Sequence, residues 1–266
     1  MKKLNFENTT ILITGASSGI GKEFAKQLAS QGANLILTAR TESDLTKLSE
    51  QLESEYKTIW VKAIAIDLSE ANSATTLFEK INDLELSVDY LINNAGFGKF
   101  CAFSAERFET YHKMLMLNIN ALVELTHLCL PAMIHKNSGG IINVASIGSF
   151  QPLPYQAVYG ASKAFVLSFS EALTGELLET NIRVMALCPG TTESRFMENA
   201  NADTSKMNLA PASQVVSAAL KAYAKNRMYT VSGKVNYLVS LIPRLVTRKK
   251  TVKIVVNMFK ENVLGK

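Results

Sequence analysis

Thr9-Thr10-Ile11-Leu12-Ile13-Thr14-Gly15-Ala16-Ser17-Ser18-Gly19-Ile20-Gly21 is the stretch whose reading decides the fold. Residues 9–14 form a short β-branched and apolar run, the pattern of a strand buried on both faces of a parallel sheet. Helical periodicity follows over 22–31 through Ile20, Phe24 and Leu28. Strand, glycine turn and helix in that order make an anion site. Glycines let the backbone approach a diphosphate, and a helix N-terminus offers free N–H groups at the positive end of its dipole. The spacing is G-x-x-x-G-x-G rather than the commoner G-x-G-x-x-G.

Outward from this turn the alternation continues. Residues 34–39 read as the second strand, closing a βαβ unit. A dinucleotide site of the NAD type would place an acid near its end for the ribose 2′-OH, but Ala39 is followed by Arg40. A guanidinium there suits a 2′-phosphate and favours NADP(H) over NAD(H). Helices are expected over 43–55, 70–83, 105–136 and from Tyr159 to about Glu179. Strands are expected over 59–66, 88–93, 141–145 and 182–188. This pattern means α/β, a single Rossmann-type doubly wound parallel sheet flanked by helices. One catalytic domain over 1–233 suffices, with no internal repeat or linker. Met114, Leu117, Ala121, Leu125 and Leu128 mark the expected core stripe of the long helix.

Tyr159 and Lys163 stand four apart, so on a helix they share a face. An ammonium beside a phenol favours the phenolate, and the pair becomes a workable acid and base near neutral pH. Ser146 lies thirteen residues upstream at the end of a strand.

Composition bounds the rest. The chain has 266 residues, 47% of them hydrophobic and 19% charged, enough for one large core. No stretch of about 18 uninterrupted apolar residues is present, so no spanning helix is expected, and the N-terminus lacks the form of a secretory signal. Cys101, Cys129 and Cys188 form no C-x-x-C pair and read as buried thiols of a reducing, cytoplasmic protein. His112, His127 and His135 lack ligand spacing, so no metal is expected. Residues 225–266 carry ten Lys/Arg against one acid, Glu261, while the remaining 224 hold 18 bases against 22 acids; the tail stands at +9 and the body at −4. In this tail, 234–266, Leu238, Leu241, Ile242, Leu245, Val252, Val255, Val256, Phe259 and Val263 recur at helical spacing. Lys249, Lys253 and Lys260 fall opposite, and Pro243 is expected to divide two helices. Such a basic amphipathic extension either covers the cleft or a subunit interface, or lies peripherally on the inner membrane face. No motif accompanies the charge to suggest nucleic acid.

Taken together, Thr14-Gly15-Ala16-Ser17-Ser18-Gly19-Ile20-Gly21, Asn93-Asn94-Ala95-Gly96, Asn118, Ser146, Tyr159-x-x-x-Lys163 and Pro189-Gly190 resemble the short-chain dehydrogenase/reductase family, over roughly residues 8 to 225. Arg40 resembles its NADP-preferring members, and Asn94-Ala95-Gly96-Phe97-Gly98 with Leu187-Cys188-Pro189-Gly190 resembles a bacterial reductase subgroup. One departure is Ser194, where the family usually has threonine.

The resemblance implies that Tyr159 exchanges a proton with a carbonyl or alcohol oxygen that Ser146 hydrogen-bonds. It gives Lys163 the nicotinamide ribose and Asn118 a relaying water. Asp67 and Leu68 would bracket the adenine, Asn94, Ala95 and Gly96 would meet the adenine-side ribose, and Pro189, Gly190 and Thr192 would hold the nicotinamide. It further implies a homodimer or homotetramer. The alternative is an NADP(H)-sensing binding protein on the same scaffold, attached to the membrane surface by its tail. Substrate choice falls to loops 97–104, 147–157 and 191–208, which carry Phe97, Phe100, Phe103, Phe150, Leu153, Tyr155, Phe196 and Met197 and predict an apolar carbonyl compound. The polar stretch 198–208 is the expected mobile cover.

Overall fold

The computed structural model describes residues 5–196, 200 and 208–264, with side chains as far as 259. Seven parallel strands form one sheet: β1 (Thr10–Thr14), β2 (Asn34–Ala39), β3 (Val61–Ala65), β4 (Tyr90–Asn93), β5 (Gly140–Val144), β6 (Arg183–Cys188) and β7 (Tyr229–Val231). Their spatial order is β3-β2-β1-β4-β5-β6-β7. The order reverses between β1 and β4, so the crossovers leave in opposite directions there and open a crevice at the strands' carboxyl ends.

Helices cover both faces. On one side α1 (Gly19–Ala29), α2 (Glu42–Glu55) and α7 (Ala212–Ala224) bury Phe24, Leu28, Leu45, Leu52, Val216 and Tyr223 against β1, β2 and β6. On the other, α3 (Ser73–Asp83), α5 (Ala121–Lys136) and α6 (Ala157–Glu176) bury Leu77, Ile81, Leu125, Cys129 and Leu173. Strands β1 and β5 are buried along their whole length because both faces are covered.

Several expectations shift. The seventh strand is absent from the sequence reading: three residues carry too little periodicity to register. The long helix is not uniform. α4 (Phe108–Leu115) passes through a π-helical segment, Met116–Asn120, before α5. Met114, Ala121 and Leu125 of the expected stripe are buried and Leu117 and Leu128 half-buried, while Leu122, Cys129 and Met133 join the buried face beyond the wider turn. Phe108–Lys136 is long and apolar enough to cross a membrane by length and composition, although it holds no run of about 18 uninterrupted apolar residues. Here its inner residues pack on the sheet. Cys101 is partly exposed, unlike Cys129 and Cys188; its thiol lies 3.6 Å from the Tyr111 hydroxyl.

The tail forms α8 (Lys234–Leu245) and α9 (Arg248–Leu264). Pro243 sits inside α8 rather than between the two; the break falls at Val246-Thr247, where the backbone of Val246 is extended. The expected stripe divides. α9 turns Thr251 and Val255 into the body, and Phe259 packs edge-on against Phe100 at 5.7 Å. On α8, Leu238 and Leu245 face outward. The stretch 198–208 and Met197 lie outside the described residues, apart from Ala200 and Asn208.

Gly140 shows how tightly β5 is fixed. A Cβ there would overlap the Tyr223 hydroxyl and the Arg183 carbonyl. Gly140→Ala should therefore lower unfolding stability by about 1–3 kcal/mol, read as a reduced urea midpoint at unchanged slope.

Candidate active site

Thr14 and Asn94 build the crevice. The Asn94 amide donates to the Thr14 and Gly15 carbonyls at 2.9 and 3.1 Å, and the Thr14 hydroxyl accepts the backbone N–H groups of Asn94 and Ala95. These bonds pin the end of β4 to the glycine turn. Gly15 has φ +64°, and a Cβ on it would stand 2.8 Å from the Asn94 amide. A side chain on Gly21 would meet the Gly15 carbonyl, so this third glycine serves close packing of α1 on the turn. The N-terminus of α1 has no acid in its first turn and no side-chain cap from Ser18. Its first N–H groups are left without a side-chain acceptor from Ser18, and Ser18, Gly19 and Ile20 line the crevice, the arrangement a diphosphate requires.

A cavity of about 1030 Å³ runs from this turn across the carboxyl edge of the sheet. Gly15, Ser17, Ser18, Gly19, Ile20, Arg40, Asp67, Leu68, Asn94, Ala95, Gly96, Ser146, Tyr159, Lys163, Pro189, Gly190 and Thr192 all line it. Two nominated residues stand behind its wall. Gly21 is buried under the turn, and Asn118 lies behind Gly96. The Asn118 amide donates to the Phe97 carbonyl at 3.0 Å and to the Ser162 hydroxyl at 3.1 Å, and its oxygen accepts from Phe97 N–H. Asn118 therefore holds the loop after β4 from its place in the π-helical segment.

β5 delivers Ser146, and α6 carries Tyr159 and Lys163. The Ser146 hydroxyl caps the short 3-10 turn Ile147–Phe150 by accepting Gly148 N–H at 3.0 Å. Ser149 accepts the Ser146 N–H and donates to the Lys163 carbonyl at 2.8 Å, locking the strand end to the helix. Lys163 is buried, and its ammonium donates to the Val144 carbonyl at 2.8 Å while lying 6.0 Å from the Tyr159 ring centre. The Tyr159 ring packs between Phe196, 5.4 Å away, and the backbone of Gly98, where a Cβ would stand 3.0 Å from the ring.

The electrostatics differ from the sequence expectation. Burial pushes the Tyr159 phenol up to about 12, and the group that pulls it back is Ser146, by hydrogen bond, not Lys163. Burial also brings Lys163 down to about 8. Desolvation outweighs the mutual support expected from i, i+4 placement, since both groups would carry charge away from water.

Asp67 caps a turn through Oδ1, which accepts the Ser69 N–H and hydroxyl at 3.0 and 2.7 Å, while also facing the cavity. Arg40 is exposed at the rim and has no carboxylate partner among the described residues, in contrast to Lys113, which pairs with Glu70 at 2.9 Å. Ser194 lies against Gly19 and lines the cavity beside the glycine turn.

Of the expected loop side chains, Phe97, Phe100, Leu153 and Phe196 reach the cavity. Phe103 stacks on Tyr111 and Phe150 packs on Tyr229 instead. Sequence reasoning missed Gln151, whose buried Oε1 has no hydrogen-bond partner among the described residues. It also did not single out Asn236, Val239, Ile254 and Met258, contributed by α8 and α9. The helical period of the tail was the available signal for the last group.

A dinucleotide groove joined to a Ser-Tyr-Lys set defines a nicotinamide-dependent oxidoreductase acting on CH–OH or C=O groups. The chain belongs to the short chain dehydrogenase family, whose pattern it matches over residues 9–205. It is 32% identical over 191 residues to an uncharacterized oxidoreductase of Staphylococcus saprophyticus, covering 72% of this chain and 81% of that one. It is 39% identical over 186 residues to a very-long-chain 3-oxoacyl-CoA reductase of Meyerozyma guilliermondii, covering 65% and 53%. A short-chain dehydrogenase from Sphingobium yanoikuyae in complex with NADPH superposes with a TM-score of 0.79 at 28% identity, covering 96% of each chain. These oxidoreductase relatives give the sensing alternative no support.

The shifted lysine has a consequence for stability. Between pH about 8 and its ordinary 10.5, Lys163 is neutral when folded and charged when unfolded. The unfolded chain binds the extra proton, so this group's contribution to stability rises with pH across that window. Urea unfolding at pH 7, 9 and 10 should show a rising component in the wild type that Lys163→Met lacks; parallel profiles would refute the shift.

Proposed function

We propose that the chain is an NADP(H)-dependent reductase of a largely apolar ketone or aldehyde, or in reverse a dehydrogenase of the alcohol. The observation that carries this is one continuous cavity with Ser146, Tyr159 and Lys163 at one position and Arg40 at the rim of another. The glycine turn and the α1 N-terminus would hold the diphosphate, and Arg40 the 2′-phosphate. Asp67 and Leu68 would flank the adenine, Asn94, Ala95 and Gly96 the adjoining ribose, and Pro189, Gly190 and Thr192 the nicotinamide. The nicotinamide, when bound, supplies or accepts the hydride.

The chain's own part is the proton and the charge. Tyr159 gives its phenolic proton to the carbonyl oxygen as the carbon is reduced, leaving a phenolate that must be reprotonated. Ser146 donates a hydrogen bond to the same oxygen and stabilises the charge developing there. A phenol pushed up to about 12 is protonated at neutral pH, as a donor in reduction must be, while burial makes it the weaker acid and the Ser146 hydrogen bond offsets part of that. Lys163, held by Val144, is placed to favour the phenolate once it forms. Asn118 keeps Phe97 and Gly96 against this group, acting through position rather than touching the reacting atoms.

NADP(H) rests on Arg40 and on the likeness to the NADPH complex. A similar fold at 22% identity binds NAD, so residue 40 is the point to test. The apolar substrate rests on Phe97, Phe100, Leu153, Phe196, Val239 and Met258 around the far end of the cavity. A reducing, cytoplasmic setting fits three free thiols. A homodimer or homotetramer fits the exposed Leu115, Ile134 and Phe165 on α4, α5 and α6.

Arg40→Ala should weaken NADPH about 10- to 100-fold, as expected for losing one or two charge-assisted hydrogen bonds, and leave NADH nearly unchanged in a fluorescence titration. Tyr159→Phe should keep NADPH affinity within a few-fold and lose at least ~100-fold in turnover of an aryl ketone panel, the scale of one general acid. Full turnover in Tyr159→Phe would sink the assignment.

A further inference from the structure

Helix α8 has two apolar faces. Val239 and Pro243 look into the cavity, and Ser240 is buried. Yet Val235, Leu238, Ile242 and Leu245, spaced i, i+3, i+7 and i+10, are 73%, 63%, 43% and 83% exposed. A lone exposed leucine means nothing; four on one helical face form a patch that marks a contact. The patch is continuous with the cavity mouth. Ile242 lines the cavity as well as the surface, and so do Ile254 and Met258 of α9, 40% and 61% exposed.

Charge identifies the occupant. From 234 to 259 the tail carries Lys234, Arg244, Arg248, Lys249, Lys250 and Lys253, all exposed, and no carboxylate. A second copy bound isologously would set this cationic face against itself, which is repulsive. An anionic bilayer offers both complements at once, hydrocarbon for the stripe and headgroup charge for the lysines and arginines. We propose that α8 docks on an anionic lipid bilayer and that the cavity mouth takes its apolar carbonyl substrate directly from the acyl layer. This rests on the cavity being the carbonyl site proposed above.

The experiment is cosedimentation of the full chain with vesicles of phosphatidylcholine alone or mixed with phosphatidylserine, alongside turnover of a water-soluble ketone. Binding is expected to the mixed vesicles only, and to fall steeply with added salt. Leu238→Ser/Leu245→Ser should lose at least tenfold in vesicle affinity, and so should Lys249→Gln/Lys250→Gln. All four positions lie outside the catalytic machinery, so both variants should turn over the soluble ketone as the wild type does. For a long-chain ketone presented in the vesicles, both should lose rate.

Turnover of the soluble ketone with no binding to phosphatidylserine vesicles overturns the docking proposal and leaves the enzyme reading intact. So does binding that neither variant changes. If that outcome comes with a concentration-dependent rise in mass that Leu238→Ser abolishes, the stripe belongs to a second copy. Vesicle binding without turnover of either ketone fails the carbonyl reading and, with it, substrate delivery.

Discussion

The buried ammonium of Lys163 is the constraint on which the site depends. A cation with almost no access to water needs a strong acceptor, and the Val144 carbonyl at the end of β5 supplies it. That bond fixes the rotation of α6 against the sheet and therefore where Tyr159 points. Ser149 reinforces it by bonding the Lys163 carbonyl and the Ser146 N–H together. Buried polar groups further along β4 and β5 extend the same tie: Asn93 donates to Asn143 and Thr126, and Asn143 donates to Ser170 of α6. Such a network is rigid where its groups are paired and costly where one is not, as at the Asn93 Oδ1, which has no partner among the described residues. It holds helix and sheet in one register beneath the reacting groups.

Desolvation acts on the site in two ways. It raises the Tyr159 phenol and lowers the Lys163 ammonium, so neither group carries its charge cheaply. A proton moved between an oxygen of the substrate and Tyr159 therefore moves in an environment where charge is expensive. Ser146 becomes the key neutral donor, because its hydrogen bond favours the phenolate without adding a second buried ion. The stability that burial costs at Lys163 is the counterpart of its usefulness to Tyr159.

The tail completes the far side of the cavity. Gly190 can lie beneath α8 only because it lacks a side chain; a Cβ there would overlap the Asn236 amide. Phe259 meets Phe100 from above, so the loop after β4 and the last helix share a wall. The apolar end of the cavity is thus built from segments more than 150 residues apart. The end that faces the glycine turn is built mostly within the first hundred residues, with Ser194 closing against Gly19.

How much was legible follows from the range of the forces involved. The β1 run, the glycine turn and the alternation after it are local, set by side-chain period and by glycine's freedom at Gly15, and the sequence by itself determined the doubly wound sheet. Tyr159 and Lys163 were readable because helical geometry alone puts positions four apart on one face. Their pKa directions were not, because burial depends on everything packed around them. The π-helical turn at Asn118 interrupts a helix that otherwise keeps its apolar period, and β7 needs β6 beside it to exist; neither leaves a periodic mark. Pro243 looked like a boundary because proline removes an N–H, yet α8 carries it to Leu245. Above all, the division of the tail into an inward α9 face and an outward α8 face was decided only by tertiary structure. An apolar period says that a helix has a face to bury, and only the surrounding fold decides what that face meets.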